Sequence, residues 1–178
     1  MKDNALEMLP LVDEQGHVTG QATRGECHNG SHLLHPVVHL HVFNPQGQLY
    51  LQHRPAWKDV QPNRWDTAVG GHVDLNETPQ QALLREAREE LGLSKFKAIP
   101  LWQYVHTNAI EAEWVSSYYT VLPEGSTITP SEETDGGRFW NWQEIEQKLA
   151  EQDIFTPNFT EEFKRMQQIH PSLQLPKK

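Results

Sequence analysis

Residues 70–93 constrain this chain more than any other stretch, because every local signal in them specifies a strand, a tight loop and then a helix. Thr78 is placed to cap the helix N-terminus, Pro79 suits the first helical position, and Gln81 completes a capping box with Thr78. Gly92 is placed to end the helix in a left-handed conformation, so the spacing predicts a helix over 79–91. Leu83, Leu84, Ala87 and Leu91 then share one apolar face, while Glu86, Glu89 and Glu90 converge on another. Like charges three and four residues apart destabilise an isolated helix by roughly 0.2–0.5 kcal/mol per pair. An acidic helix face is most simply a solvated one. The functional alternative is a cation that neutralises the ridge, and carboxylate oxygens suit Mg²⁺ or Mn²⁺.

No repeat, low-complexity tract or Gly/Ser linker interrupts residues 5–172, so the 178-residue chain reads as one domain, with a frayed tail expected over 171–178. Val37 to Phe43 and Gln48 to His53 are β-rich and separated by Asn44-Pro45-Gln46-Gly47, which predicts a hairpin. A strand near Thr67 to Val73 precedes the helix, and Leu101 to His106 and Trp114 to Leu122 follow as further strands. Trp142 to Gln152 and Phe159 to Ile169 carry apolar residues at helical spacing, with Pro157 expected to break the chain between them. The order implies an α/β (α+β) fold with a mixed β-sheet flanked by helices.

A net charge of −9 works against binding a nucleic-acid polymer and leaves small charged substrates open. No apolar run reaches the roughly 18–20 residues that span a bilayer, and the acidic opening MKDNALEMLPLVDEQGHV is unlike a signal peptide, so a cytoplasmic protein without a membrane partner is expected. The single Cys27 has no internal disulfide partner. Seven of the ten histidines (His17, His28, His32, His35, His39, His41 and His53) fall within residues 17–53, a density that invites a metal reading beside the plainer one of surface or packing histidines.

Gly71, then Glu77, then Arg85-Glu86-Ala87-Arg88-Glu89-Glu90-Leu91-Gly92-Leu93 resembles the Nudix box at every fixed glycine, glutamate and arginine position. Ala87 departs from it, standing where a bulkier aliphatic residue is usual. The resemblance implies a Nudix fold, with a mixed sheet sandwiched between helices, and Mg²⁺- or Mn²⁺-dependent attack of water on a diphosphate. By the same carry-over Glu89 and Glu90 are the leading metal ligands and the Gly71 carbonyl completes the site. Glu86 either binds metal through water or acts as the base, and Arg85 orients the glutamates. Glu77 is given a structural role, pairing with Arg85.

A second resemblance, from Leu11 to Phe159, is to the type 1 isopentenyl diphosphate isomerases, a Nudix-fold branch. His28, His35 and His72 match its metal-binding histidines in position and interval, and Glu111 and Glu113 are similar to its pair of glutamates separated by one residue. Alternate strand residues face one side, so both carboxylates can point inward. Imidazole nitrogens favour Mn²⁺ or Zn²⁺ at such a site over Mg²⁺. Arg24, Arg54 and Lys58 resemble residues that grip the diphosphate. His32, His39, His41 and His53 match no family position and are assigned to surface or packing roles. Trp65 and the aromatics from Phe139 to Trp142 read as core.

The chain departs from the isomerases where it reads Gly70-Gly71-His72, since they carry a catalytic cysteine at the position of Gly70. Cys27 is too far along the chain to replace it. The complete acidic helix instead favours a hydrolase acting on a nucleoside diphosphate derivative or an isoprenoid diphosphate. The alternatives are an isomerase-like activity with Glu113 or Tyr104 as proton donor, and a non-catalytic metabolite-binding module. Glu133, in the loop before the late helices, is a candidate for an additional acid. Nudix enzymes often form homodimers, though neither a heptad nor a long apolar edge marks such a surface here.

Overall fold

A computed structural model describes residues 4–58, 60–173 and 175. The predicted strands and helices are present, together with elements the sequence did not announce. Strands β1 (Met8–Val12) and β2 (Val18–Thr23) form an antiparallel hairpin, followed by the short helix α1 (Arg24–Cys27). Leu9, Ala22 and Cys27 form a small buried cluster within this unit. The alternation in β2 is weak, Val-Thr-Gly-Gln-Ala-Thr, and gave no period by which to recognise a strand.

The main sheet is mixed. Strand β3 (Leu34–Phe43) runs parallel to β8 (Ala112–Val121) over their whole length, and β7 (Ile99–Thr107) adds antiparallel to β8. On its other side β3 is shared. Val42 and Phe43 pair with β4 (Leu49–His53), whereas residues 37–40 pair with β6 (Val69–His72). The predicted hairpin is therefore real but only two residue pairs long, because β4 leaves β3 to pair with β5 (Trp65–Thr67) and β9 (Gly137–Trp140). The strand expected over 67–73 is divided at Ala68 into β5 and β6, which serve different partners.

Helix α2 (Pro79–Leu91) has the predicted bounds, with the reciprocal Thr78–Gln81 capping box and Gly92 at φ +67°. Its Ala82, Leu83, Ala87 and Leu91 pack with Val38, Leu40 and Val42 on one face of β3. Leu84 is a correction: it sits at the margin of the buried stripe and is 50% exposed. The opposite face of the sheet, including Phe43 and Leu49, packs against α3 (Trp142–Glu151) and α4 (Pro157–Ile169) through Trp142, Ile145, Phe159, Phe163 and Met166. The sheet is thus sandwiched between helices. Pro157 does not merely break the chain; it is the first residue of α4, whose N-cap is Thr156. Within the tail expected over 171–178, residues 171 and 172 belong to a 3-10 turn, His170–Ser172, and Leu173 is buried against the α3–α4 side. Residues 174 and 176–178 of that expected tail lie outside the described residues. Among the described residues no helix is long and apolar enough to cross a membrane.

Candidate active site

The loop between β6 and α2 brings the acidic ridge of the helix against Gly70 and Gly71. Arg85 is the organiser. Its Nε and Nη2 each donate to a different oxygen of Glu77 at 2.9 Å, Nη2 donates to the His72 carbonyl at 3.0 Å, and Nη1 donates to Glu86 Oε1 at 2.7 Å. The planar guanidinium thus ties loop, strand and helix together with one fixed fork. Glu89 is more exposed and reaches Arg85 Nη1 at 3.5 Å. Glu90 accepts from the Gly70 N–H at 3.4 Å and from Gln52 Nε2 at 3.3 Å.

Burial raises the Glu86 carboxyl to about 7, with Arg85 offsetting part of the effect. Burial and the charge of Glu86 push Glu90 well above the ordinary carboxylate range. Two acids that resist ionisation side by side, with oxygen donors facing one space, form a set that fits a hard divalent cation. The Gly71 carbonyl belongs to the same stretch of strand.

The other sequence-marked cluster also assembles. His28 follows α1, His35 is near the start of β3, and His72 ends β6; their ring centroids lie 5.2–5.4 Å apart. Glu113 is the cross-strand neighbour of His35, and Glu111 Oε2 lies 2.9 Å from His28 Nε2 and 3.7 Å from His35 Nε2. Donor atoms of His28, His35 and His72, and separately of His35, Glu111 and Glu113, all lie within 4.8 Å of one another. His35 Nδ1 donates to the Leu33 carbonyl at 2.9 Å, leaving Nε2 buried without a hydrogen-bond partner. Burial keeps His35 below its ordinary value and, with Arg24 and the other two histidines nearby, holds His72 far below it. Neutral imidazoles and an orphaned lone pair fit a transition-metal ion. Burial and Glu111 raise Glu113 to about 7.

The proposed diphosphate grips are less alike. Arg24 pairs with Glu7 at 3.2 Å and lies close enough to depress His35 and His72. Arg54 donates to the carbonyls of Val60 and Gln61 and to Asp66, bracing its own loop. Lys58 lies 4.0 Å from Glu133 Oε2 and 4.9 Å from the centroid of the Trp57 ring. Cys27 is buried, and burial with Glu26 and Glu111 pushes its thiol up, which disfavours the reactive thiolate.

Sequence reasoning missed a third cluster. Glu162 of α4 is fully buried and accepts from His39 Nδ1 at 2.7 Å, Ser117 Oγ at 2.7 Å and Tyr104 Oη at 2.8 Å. It also accepts from His41 Nε2. Burial opposes charge on both His39 and Glu162, but their mutual attraction and hydrogen bond outweigh it, raising His39 to about 9 and, with His41, lowering Glu162 well below its usual range. The only sequence signal was the alternation of His39 and His41 on one face of β3. Of the other two histidines left outside the site, His32 Nε2 lies 2.8 Å from the Asn108 carbonyl oxygen, and the His53 ring packs edge-on against Trp65.

A mixed sheet between helices, with a glycine strand feeding an arginine-organised acidic helix, defines a Nudix domain. The NUDIX domain family matches residues 33–163, and the chain belongs to that family. Among its relatives, an uncharacterised Nudix hydrolase of Streptomyces coelicolor is 32% identical over 93% of this chain and 91% of its own length. An isopentenyl-diphosphate Delta-isomerase of Citrobacter koseri is 29% identical over 80% of each chain. The crystal structure of DR0079 from Deinococcus radiodurans superposes with a TM-score of 0.75 at 27% identity, covering 89% of this chain and 98% of that one.

Proposed function

We propose that this Nudix chain hydrolyses a diphosphate bond in a small organic diphosphate, a nucleoside diphosphate derivative or an isoprenoid diphosphate. The observation that carries the reading is the placement of Glu86 and Glu90 against Gly70–Gly71, with Arg85 locking the loop and helix that present them. Glu86, Glu89, Glu90 and the Gly71 carbonyl would hold Mg²⁺ or Mn²⁺. The ion supplies neutralisation of phosphoryl oxygens and activation of water. Glu86 either binds the ion through water or accepts a proton from the attacking water. Arg85 acts by positioning Glu86.

His28, His35, His72, Glu111 and Glu113 would hold a second ion, Mn²⁺ or Zn²⁺, next to Arg24. Arg24, Arg54 and Lys58 are the proposed contacts to the diphosphate; Arg54 and Lys58 would exchange their present partners for it. The partner is the small molecule itself, in the cytoplasm, and the net charge of −9 disfavours a nucleic-acid polymer.

The His/Glu cluster also favours a second reading, isomerisation of isopentenyl diphosphate. Against it, Gly70 carries no proton-moving group, and Tyr104 donates to Glu162, with burial and Glu162 pushing its hydroxyl far up. Mass spectrometry of products from a panel of nucleoside, sugar and isoprenoid diphosphates, with Mg²⁺ or Mn²⁺, separates the readings. Hydrolysis adds water; isomerisation leaves mass unchanged. Loss of turnover in Glu90→Gln by about 10²-fold or more is expected for the hydrolase, and full turnover in that variant rejects the metal assignment.

A further inference from the structure

The buried cluster around Glu162 meets the catalytic strand at one point. His39 is paired across the sheet with Gly70, one residue before the Gly71 that contacts Glu86. Directly opposite residues in an antiparallel pair hold their Cβ atoms about 4.5–5.5 Å apart, so almost any side chain at position 70 would lie over the His39 ring. A Cβ on Gly70 would meet His39 Cδ2 at 3.5 Å and Nε2 at 3.9 Å. Gly70 is exposed, and its N–H faces Glu90. The absent side chain therefore leaves an opening over the edge of the His39 ring, at the strand position whose N–H Glu90 accepts.

The far side of that ring is fixed. Nδ1 is held by Glu162, and Ser117, Tyr104 and His41 hold Glu162 in turn. Burial opposes charge on His39, and His41 shares Glu162, but the strongest charges from packed elements, Glu162 of α4, Glu113 of β8 and Asp66 of β5, outweigh burial. All three are acidic and favour a proton on Nε2. A carboxylate behind Nδ1 with Nε2 toward an opening is the arrangement by which an imidazole is oriented to pass a proton.

We propose that His39, oriented by Glu162 and reached through the opening at Gly70, gives its Nε2 proton to the leaving oxygen of the cleaved diphosphate. This rests on the hydrolase reading. The oxygen of water forms the new bond to phosphorus and its proton passes to Glu86. The bond from phosphorus to the leaving oxygen breaks, and the electron pair on that oxygen takes the proton from His39. Exchange with bulk water restores both residues. His39 is thus a catalytic residue and Glu162 a positioning one.

Two variants separate proton transfer from packing. His39→Gln removes the imidazole but also strips Glu162 of its cation. Gly70→Val keeps the His39–Glu162 pair and closes the opening, and the space around Gly70 accepts its Cβ at ordinary contact distance. Both are expected to lower kcat for the hydrolysed diphosphate by about 10²-fold with little change in KM. Gly70→Val should retain the wild-type Tm, and in both variants the fall of kcat above about pH 9 should disappear. Long-range proton–nitrogen NMR of the histidine rings, titrated with inorganic pyrophosphate and Mg²⁺, should shift His39 Nε2 in the wild type and not in Gly70→Val. Wild-type kcat in Gly70→Val, or an unmoved His39 Nε2 in the wild-type titration, overturns the proposal while leaving hydrolysis intact. A wild-type protein that hydrolyses nothing in the panel overturns the hydrolase reading, and the role of His39 with it.

Discussion

The Glu86 carboxyl fills the space that a side chain on Gly71 would need: a Cβ there would lie 2.2 Å from Glu86 Cδ and within 2.6 Å of both its oxygens. Gly71→Ala must therefore displace Glu86. Misplacing a catalytic group by about 1 Å can cost around 10²-fold in rate, and a loss of that order in kcat is expected. Steady-state kinetics beside a thermal melt checks it; wild-type kcat in a folded Gly71→Ala protein would reject the close packing.

Glu77 and Arg85 form the two-pronged pair that anchors the loop. Arg85→Lys keeps the charge but loses the fork, and a cost of about 1.5–3 kcal/mol is expected in urea denaturation. The Arg85 hydrogen bond lowers the Glu77 carboxyl below 4.5. Its stabilisation is thus present above about pH 4.5 and lost as pH falls through the lowered value, and Glu77→Gln should flatten that acid limb.

The metal-free protein should lose stability as pH rises from about 4.5 to above 9. Glu86 is raised from 4.5 to about 7, so its ionisation is harder in the folded state than in the unfolded chain. His39 is raised from 6.5 to about 9, so its stabilisation is complete below 6.5 and lost as pH passes 9. Both signs agree. Mg²⁺ should raise Tm more at pH 8 than at pH 6, because ligand carboxyls must lose protons to bind it, and Glu86→Gln should weaken that difference. Melts across this range with and without Mg²⁺ measure it.

Glu162→Ala leaves His39 and His41 buried without their shared carboxylate. Removing one partner of a buried charge pair costs about 3–5 kcal/mol, and equilibrium unfolding should show a loss in that range.

Gly92→Ala tests the end of the acidic helix without touching the site. A left-handed backbone costs an L-residue roughly 1–2 kcal/mol, and here Thr129 Cβ would stand 3.3 Å from the new Cβ. Lower Tm with unchanged kcat is the expected result.

Helix α2 was legible to the residue because its signals act within one turn: Thr78, Pro79 and Gln81 at the start and Gly92 at the end. The β1–β2 hairpin was not legible, because β2 is mostly exposed and has no apolar alternation to betray it. The three histidines and two glutamates of the second cluster were singled out by resemblance, and register is what brings their donor atoms together: β3 aligns His35 with Glu113 on one side and Val37 with His72 on the other.

The sequence by itself determined the acidic helix, the loop that feeds it and the family to which they belong, since capping and helical spacing depend on neighbours a few residues away. Only the tertiary structure decided that His39 and His41, read as surface or packing histidines, converge on Glu162 more than 120 residues along the chain. It also decided that Gly70 stands over His39. Such contacts are set by sheet register and by the seating of α4, and the burial that gives them their charge states exists only once those distant elements have packed.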